Sequence, residues 1–311
     1  MTTLDIICLG EPLLEFNQER ADGPHYRKGY GGDTSNAAIA AARQGARVAY
    51  LTALGIDAFA DELLALWATE GVDAGHVRRD PEAHTGLYFV SHGAHGHSFT
   101  YMRAGSAASR MTPALLPDGF VASARYLHLS GISQAISASA CDTAFAAIGQ
   151  ARAVGTAVSF DTNLRLKLWP LARARAVIHA TVPQVDILLP SLEDATALTG
   201  QENPDAIADL YLEMGAPLVV LKMGSDGALV ATAERREHVR GHPVMVVDAT
   251  GAGDTFDGAF LAEMACGASP FEAARYANTA AALSTQGYGA VAPIPRRAEV
   301  EAFRKDRGTD A

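Results

Sequence analysis

The chain has 311 residues, 49% of them hydrophobic and 19% charged, with a formal net charge of −10. That composition argues against a disordered chain, and 35 acids against 25 bases with no basic stripe argue against a nucleic-acid partner. No 18-residue apolar run is present, MTTLDIICLG makes a poor leader, and Cys8, Cys141 and Cys266 are few and far apart. The expectation is a protein that neither spans a membrane nor forms disulfides, with buried thiols in a reducing, cytoplasmic compartment.

Along the chain, residues 11–30 carry short, partly alternating segments, followed by a helix in NAAIAAARQG. Val48–Leu54 reads as a strand, Asp57 as the cap of FADELLALWATE, and Gly71 as its stop. Residues 86–103 read as a hairpin with HGAHG as the turn, which makes His92, His95 and His97 a solvated cluster and not a metal site. Tyr126–Leu129, Ala157–Asp161, Val185–Leu189, Leu218–Lys222 and the apolar run Val244–Val247 are strands. Between them lie a helix in CDTAFAAIGQARAV that stops at Gly155 and helices that end near Gly200 and Gly215. Helices in DGAFLAEMAC, YANTAAAL and a charged C-terminal stretch close the chain. The pattern predicts one α/β domain over 1–311: a mostly parallel sheet with helices on both faces, and a small β-sheet lid from the inserted segments 11–30 and 86–103.

Familiar metal and nucleotide motifs are missing: GxxxxGK[ST], GxGxxG, CxxC and HExxH do not occur. Three glycine-rich turns carry the chemistry instead. In Asp248-Ala-Thr-Gly-Ala-Gly-Asp-Thr-Phe256 an apolar run feeds a turn that opens a helix, where free N–H groups attract phosphate. Asp254 in that turn is either an ordinary cap or a base for a hydroxyl that attacks the phosphate. Gly31-Gly32-Asp33-Thr34-Ser35-Asn36 is either a flexible turn with a cap or a polar ligand site. Lys222-Met-Gly-Ser-Asp-Gly227 is either a tight hairpin turn or part of a nucleotide site.

DATGAGDTF, GGDTSNAA, their spacing and the closing GYGAVAPIP together resemble the ribokinase-like (PfkB) family of carbohydrate kinases over nearly the whole chain. The resemblance implies a Rossmann-like body with a small β lid, ATP and Mg²⁺ as cofactors, and phosphorylation of a sugar hydroxyl. It makes Asp254 the catalytic base and Gly251, Ala252 and Gly253 the anion hole. Gly32 and Asn36 would meet the sugar. Asn163, Ser191, Lys222, Gly224, Gly227, Ala252, Gly253 and Asn278 would meet the nucleotide. Where the family shows N-x-x-E, this chain has Ser191-Leu-Glu-Asp194. Glu193 and Asp194 are therefore the metal candidates, acting through water. A monovalent cation near Asp248 is left open.

The Y-x-R-x-x-S-A and D-x-N-x-R-x-x-L-W patterns, running through Arg103 and Arg165, resemble the 2-keto-3-deoxygluconate kinases of that family. They imply that Tyr88, Tyr101, Arg103 and Arg165 contact the substrate. Arginine forks bind carboxylates bidentately, which suits a sugar acid. A neutral ketose such as fructose or tagatose is the alternative substrate, and a non-catalytic sugar-acid or nucleotide sensor the alternative of another class. Exposed lid strands suggest a homo-oligomer.

Overall fold

Strand β1 (Leu4–Leu9) has an apolar neighbour on each side, and its two-residue period divides the molecule. Ile6 and Cys8 enter one apolar core, Ile7 and Leu9 the other. The structure, a computed structural model, describes residues 4–21, 23–93 and 96–307. The remaining strands are β2 (Leu13–Gln18), β3 (Tyr26–Gly31), β4 (Val48–Leu51), β5 (Ala53–Gly55), β6 (Val72–Asp73), β7 (Arg78–Asp80), β8 (Leu87–Gly93), β9 (Gly96–Met102), β10 (Ala124–Ser130), β11 (Ala157–Asp161), β12 (Ile187–Leu188), β13 (Leu218–Lys222), β14 (Ala228–Thr232) and β15 (Arg236–Val239). The helices are α1 (Asp33–Arg43), α2 (Ala58–Glu70), α3 (Gly131–Ala135), α4 (Ala138–Val154), α5 (Leu171–Thr181), α6 (Leu192–Thr199), α7 (Pro204–Glu213), α8 (Ala252–Ala265), α9 (Pro270–Ser284) and α10 (Arg297–Asp306).

Nine strands form one sheet in the order β15-β14-β13-β12-β11-β10-β1-β4-β6, parallel except at β14 and β15. Helices α1, α2, α8 and α9 cover one face and α4, α5, α6 and α7 the other. The order runs outward from β1 in both directions, so a crevice opens at the C-terminal ends of β1 and β10. A second sheet, β3-β2-β8-β9, stands apart, and β5 and β7 make a short third pair. Against the covered face, α8 meets α1 backbone to backbone. A Cβ on Gly258 would lie 2.2 Å from the Ala37 carbonyl oxygen.

Several local signals act as expected. Asp57 accepts the Ala60 N–H at 2.8 Å, and Gly71, Gly155 and Gly200 end their helices in the left-handed conformation. Other expectations need correction. Val244–Val247 is not a strand; Met245 and Val246 are 81% and 60% exposed, so apolar composition there does not report burial. Val48–Leu54 breaks at Thr52, whose hydroxyl donates to the Gly10 carbonyl at 2.7 Å. Helix α1 starts at Asp33, three residues before the expected run. The hairpin turn is shorter than HGAHG: His92 pairs with His97 and Gly93 with Gly96 within the ladder, and Ala94 and His95 lie outside the described residues. Of the thiols only Cys8 is buried, Cys141 is half-buried and Cys266 is exposed.

Candidate active site

Two helix starts meet at the crevice. Asn36, in the first turn of α1, donates through Nδ2 to Asp254 Oδ2 at 2.8 Å, joining residues 218 positions apart. Burial first, and the Asp33 charge second, push the Asp254 carboxyl up to about 7, although Asn36 and Lys222 oppose the rise. Gly251 caps α8 at φ 75°, where a Cβ would meet the Ala290 carbonyl oxygen at 2.9 Å. The N–H groups of Gly253 and Asp254, in the first turn, have no carbonyl four residues earlier to pair with and point out of the helix start. The Ala252 N–H differs from expectation: it donates to Ala249 O at 3.2 Å and closes the turn.

A buried ion cluster lies behind this helix start. Lys222 Nζ donates to Asp161 Oδ2 at 3.0 Å and to both Asp257 oxygens at 2.9 Å. Burial pulls the Lys222 ammonium down, but the two aspartates outweigh it and hold it above its usual range. Burial raises Asp257; burial also pushes Asp161 up, but Lys222 and the hydrogen bond with Asp257 together keep it low. Lys222 is thus engaged by carboxylates, with Nζ 3.7 Å from where a Gly253 Cβ would stand. Asn163 takes a left-handed φ of 29°, its N–H on Asp161 Oδ1 at 3.1 Å and its Nδ2 on Asp33 Oδ2 at 2.8 Å. Its amide, expected at the nucleotide, is spent on the protein. Asp33 Oδ1 is buried with no hydrogen-bond partner, and burial raises its carboxyl.

Among the metal candidates, Glu193 is exposed, and Asp194 accepts the Leu164 N–H at 3.0 Å while Ser191 caps α6. Among the described residues no three His, Cys, Asp or Glu side chains are grouped to hold a metal. Carboxylate oxygens such as these would suit Mg²⁺ held mostly through water and nucleotide phosphates. Gly224 and Gly227 frame a short 3₁₀ turn after β13. Asn278 Nδ2 donates to Val239 O at 3.0 Å, which fastens the end of β15 to α9. Asp248 accepts from Thr250 N–H and Gly289 N–H at 2.9 Å each, joining the glycine turn to the closing segment.

The small sheet supplies the other wall. Tyr88 donates to Glu15 Oε2 at 2.5 Å, packs 5.6 Å from the Tyr101 ring and feels the Asp254 charge. Arg103 lies over Tyr101, 5.5 Å from its centroid, and is paired with the buried Glu11. Arg165 is exposed, donates to Leu164 O at 2.8 Å, and its charge reaches Asp33 and Asp194. Trp169 is core. The sequence motifs included Asp33 and Asp161 without giving either a role, and Glu11, Glu15 and Asp257 were not singled out. Glu11, Glu15 and Asp257 stand beside apolar residues, where an acid is seldom buried unless paired, but no local pattern names the partner.

A doubly covered parallel sheet, a separate small sheet and a carboxylate at a glycine-capped helix start define a kinase of ribokinase-like fold. Residues 3–297 match the pfkB family of carbohydrate kinases, and the chain belongs to that family. It is 33% identical to the 2-dehydro-3-deoxygluconokinase of Bacillus subtilis, over 96% of this chain and 95% of that one. It is 34% identical to the enzyme of the same name from Thermoproteus tenax (95% and 93%) and 32% identical to fructokinase-2 of Solanum habrochaites (94% and 94%). Similar solved structures include an Escherichia coli ribokinase II with ATP and Mg²⁺ (26% identical, TM-score 0.89, covering 97% and 99%). A Vibrio cholerae fructokinase double mutant with fructose, ADP and potassium is also similar (29%, 0.87, covering 97% and 99%).

Proposed function

We propose that this carbohydrate kinase transfers the γ-phosphoryl group of ATP to the 6-hydroxyl of 2-dehydro-3-deoxy-D-gluconate. What supports the reading is the pair of arginines: Arg103, stacked over Tyr101 of the small sheet, and Arg165, whose charge is felt at Asp33, itself felt at Asp254. With Tyr88 and Tyr101 they would hold the acid end and leave the far hydroxyl beside Asp254. Asp254 takes the hydroxyl proton as that oxygen bonds to the γ-phosphorus and the bond to the bridging oxygen breaks, releasing ADP. Backbone N–H groups at the start of α8 steady the transferring oxygens. Bound Mg²⁺, reached through water by Glu193 and Asp194, would neutralise phosphate charge. Ser191, Lys222, Gly224 and Gly227 line the nucleotide side. A monovalent cation belongs to the proposal as well, in the loop that Asp248 anchors. Closure of the small sheet as a lid over the sugar would exclude water as an acceptor. Its edge strands β3 and β9 are the proposed contact of a homo-oligomer. A cytoplasmic setting suits both substrates, and among the described residues no helix is long and apolar enough to cross a membrane.

One observation favours a neutral ketose instead: Glu11 cancels the charge of Arg103. Coupled ADP detection across a panel of sugar acids and ketoses separates the readings. Preference for 2-dehydro-3-deoxygluconate over fructose and tagatose is the expected result. Faster turnover of a ketose overturns it, and no ADP with any sugar points to a sensor.

A further inference from the structure

The turn between β1 and β2 buries a charge that the phosphoryl-transfer scheme does not use. The Glu11 side chain is 0% exposed. Ser106 donates to its Oε1 at 2.7 Å, Arg103 Nε donates to its Oε2 at 2.7 Å, and Arg103 Nη2 closes an ion pair on the same oxygen. A Cβ on Gly86 would stand 2.9 Å from Oε1, so a glycine is what leaves room for the carboxylate. Burial pushes the Glu11 carboxyl up, while Arg103 and Ser106 pull it back. The placement matters as much as the pairing. Glu11 stands where the chain leaves the large sheet for the small one, and Arg103 and Ser106 where it returns from β9. The ion pair therefore spans the junction of the two sheets.

A guanidinium offers donors along three edges. Glu11 occupies the Nε–Nη2 edge, and the Tyr101 ring lies beneath the plane. Nη2 is itself buried, so what remains for a ligand is Nη1 with its N–H groups, held in one direction. We propose that Glu11 is a positioning residue for the acceptor: it pins Arg103 by its Nε edge so that the remaining N–H groups meet a sugar-acid carboxylate in a fixed orientation. This rests on the sugar-acid reading. An arginine carried on a surface strand without such a partner would spend binding free energy on ordering its long side chain. Glu11 meets that cost when the protein folds.

The test is a double-mutant cycle on the full-length enzyme, with steady-state kinetics on 2-dehydro-3-deoxygluconate and thermal melts for Glu11→Gln, Arg103→Gln and the double variant. Glu11→Gln is expected to raise KM for the acid about tenfold with kcat within about threefold, and to change KM by less than about twofold once Arg103 is gone. Arg103→Gln alone strands a buried carboxylate, so the double variant is expected to melt above it. Should Arg103→Gln fail to fold, rescue by Glu11→Gln reports the same pairing. Additive KM effects, a kcat loss as large as the KM change, or a double variant no more stable than Arg103→Gln each overturn the proposal. A wild-type enzyme that turns over no sugar acid overturns it together with the functional reading, while the melts still report the ion pair. Turnover of the acid with additive effects overturns the positioning role alone.

Discussion

As the proposed base, Asp254 carries two opposed demands. A general base works best when its pKa lies near the operating pH, and burial beside Asp33 brings this carboxyl to about 7. The same shift costs stability. The folded-state value lies above the unfolded one, so the folded protein holds the extra proton between about pH 4 and pH 7. Stability from this group is full below that window and is lost as pH rises through it. Two outcomes follow for one variant. In the wild type kcat/KM should climb with pH and level off above about 7. Asp254→Asn should lose about 10²–10⁴ in kcat and yet melt higher than wild type at pH 8, with the gain shrinking toward pH 4. A pH–rate profile and melts at both pH values check this; a variant with near-wild-type kcat removes Asp254 from the base role. At this scale the sequence showed the part of the site that is local in the chain. Asp254 and Asn36 each sit in a glycine-rich turn that can be read alone. Asp33 and Glu11 gain their roles from Asn163 and Arg103, 130 and 92 positions away, and no local pattern announces such a pair.

At the scale of elements, the site depends on how α8 docks on α1 and on the sheet. The Gly258–Ala37 contact lets the helix starts approach closely enough for Asn36 to reach Asp254. Lys222 adds a charged tie, joining β13 to β11 through Asp161 and to α8 through Asp257. A buried pair is weak evidence of net stabilisation, but removing one partner leaves the other charge unmatched. Lys222→Met is therefore expected to cost about 3–5 kcal/mol in denaturant unfolding. A loss below about 1 kcal/mol would mean that water already reaches the two aspartates. Elements bounded by a cap and a left-handed glycine, such as α2 from Asp57 to Gly71, were readable because each signal is a backbone requirement. Val244–Val247 was misread because an apolar run reports burial only when something covers it, and here nothing among the described residues makes it a strand.

At the scale of the whole molecule, a net charge of −10 meets two proposed anionic ligands, ATP and a sugar acid. Inside the crevice the balance is not strongly positive either. Glu11 offsets Arg103, and Asp161 with Asp257 offsets Lys222. The exposed Arg165 and the N–H groups at the start of α8 are short-range features, acting once a ligand is within a few ångströms. Long-range attraction would need an extended positive field, and screening shortens its reach from about 30 Å at 0.01 M salt to about 8 Å at 0.15 M. With a weakly repelling molecule, added salt removes repulsion as much as attraction. Over that range kcat/KM for ATP and for the sugar acid should fall by less than about twofold, or rise. A fall of about tenfold would mean that the positive groups dominate at a distance, and that Glu11 does not offset Arg103 as its burial and pairing imply.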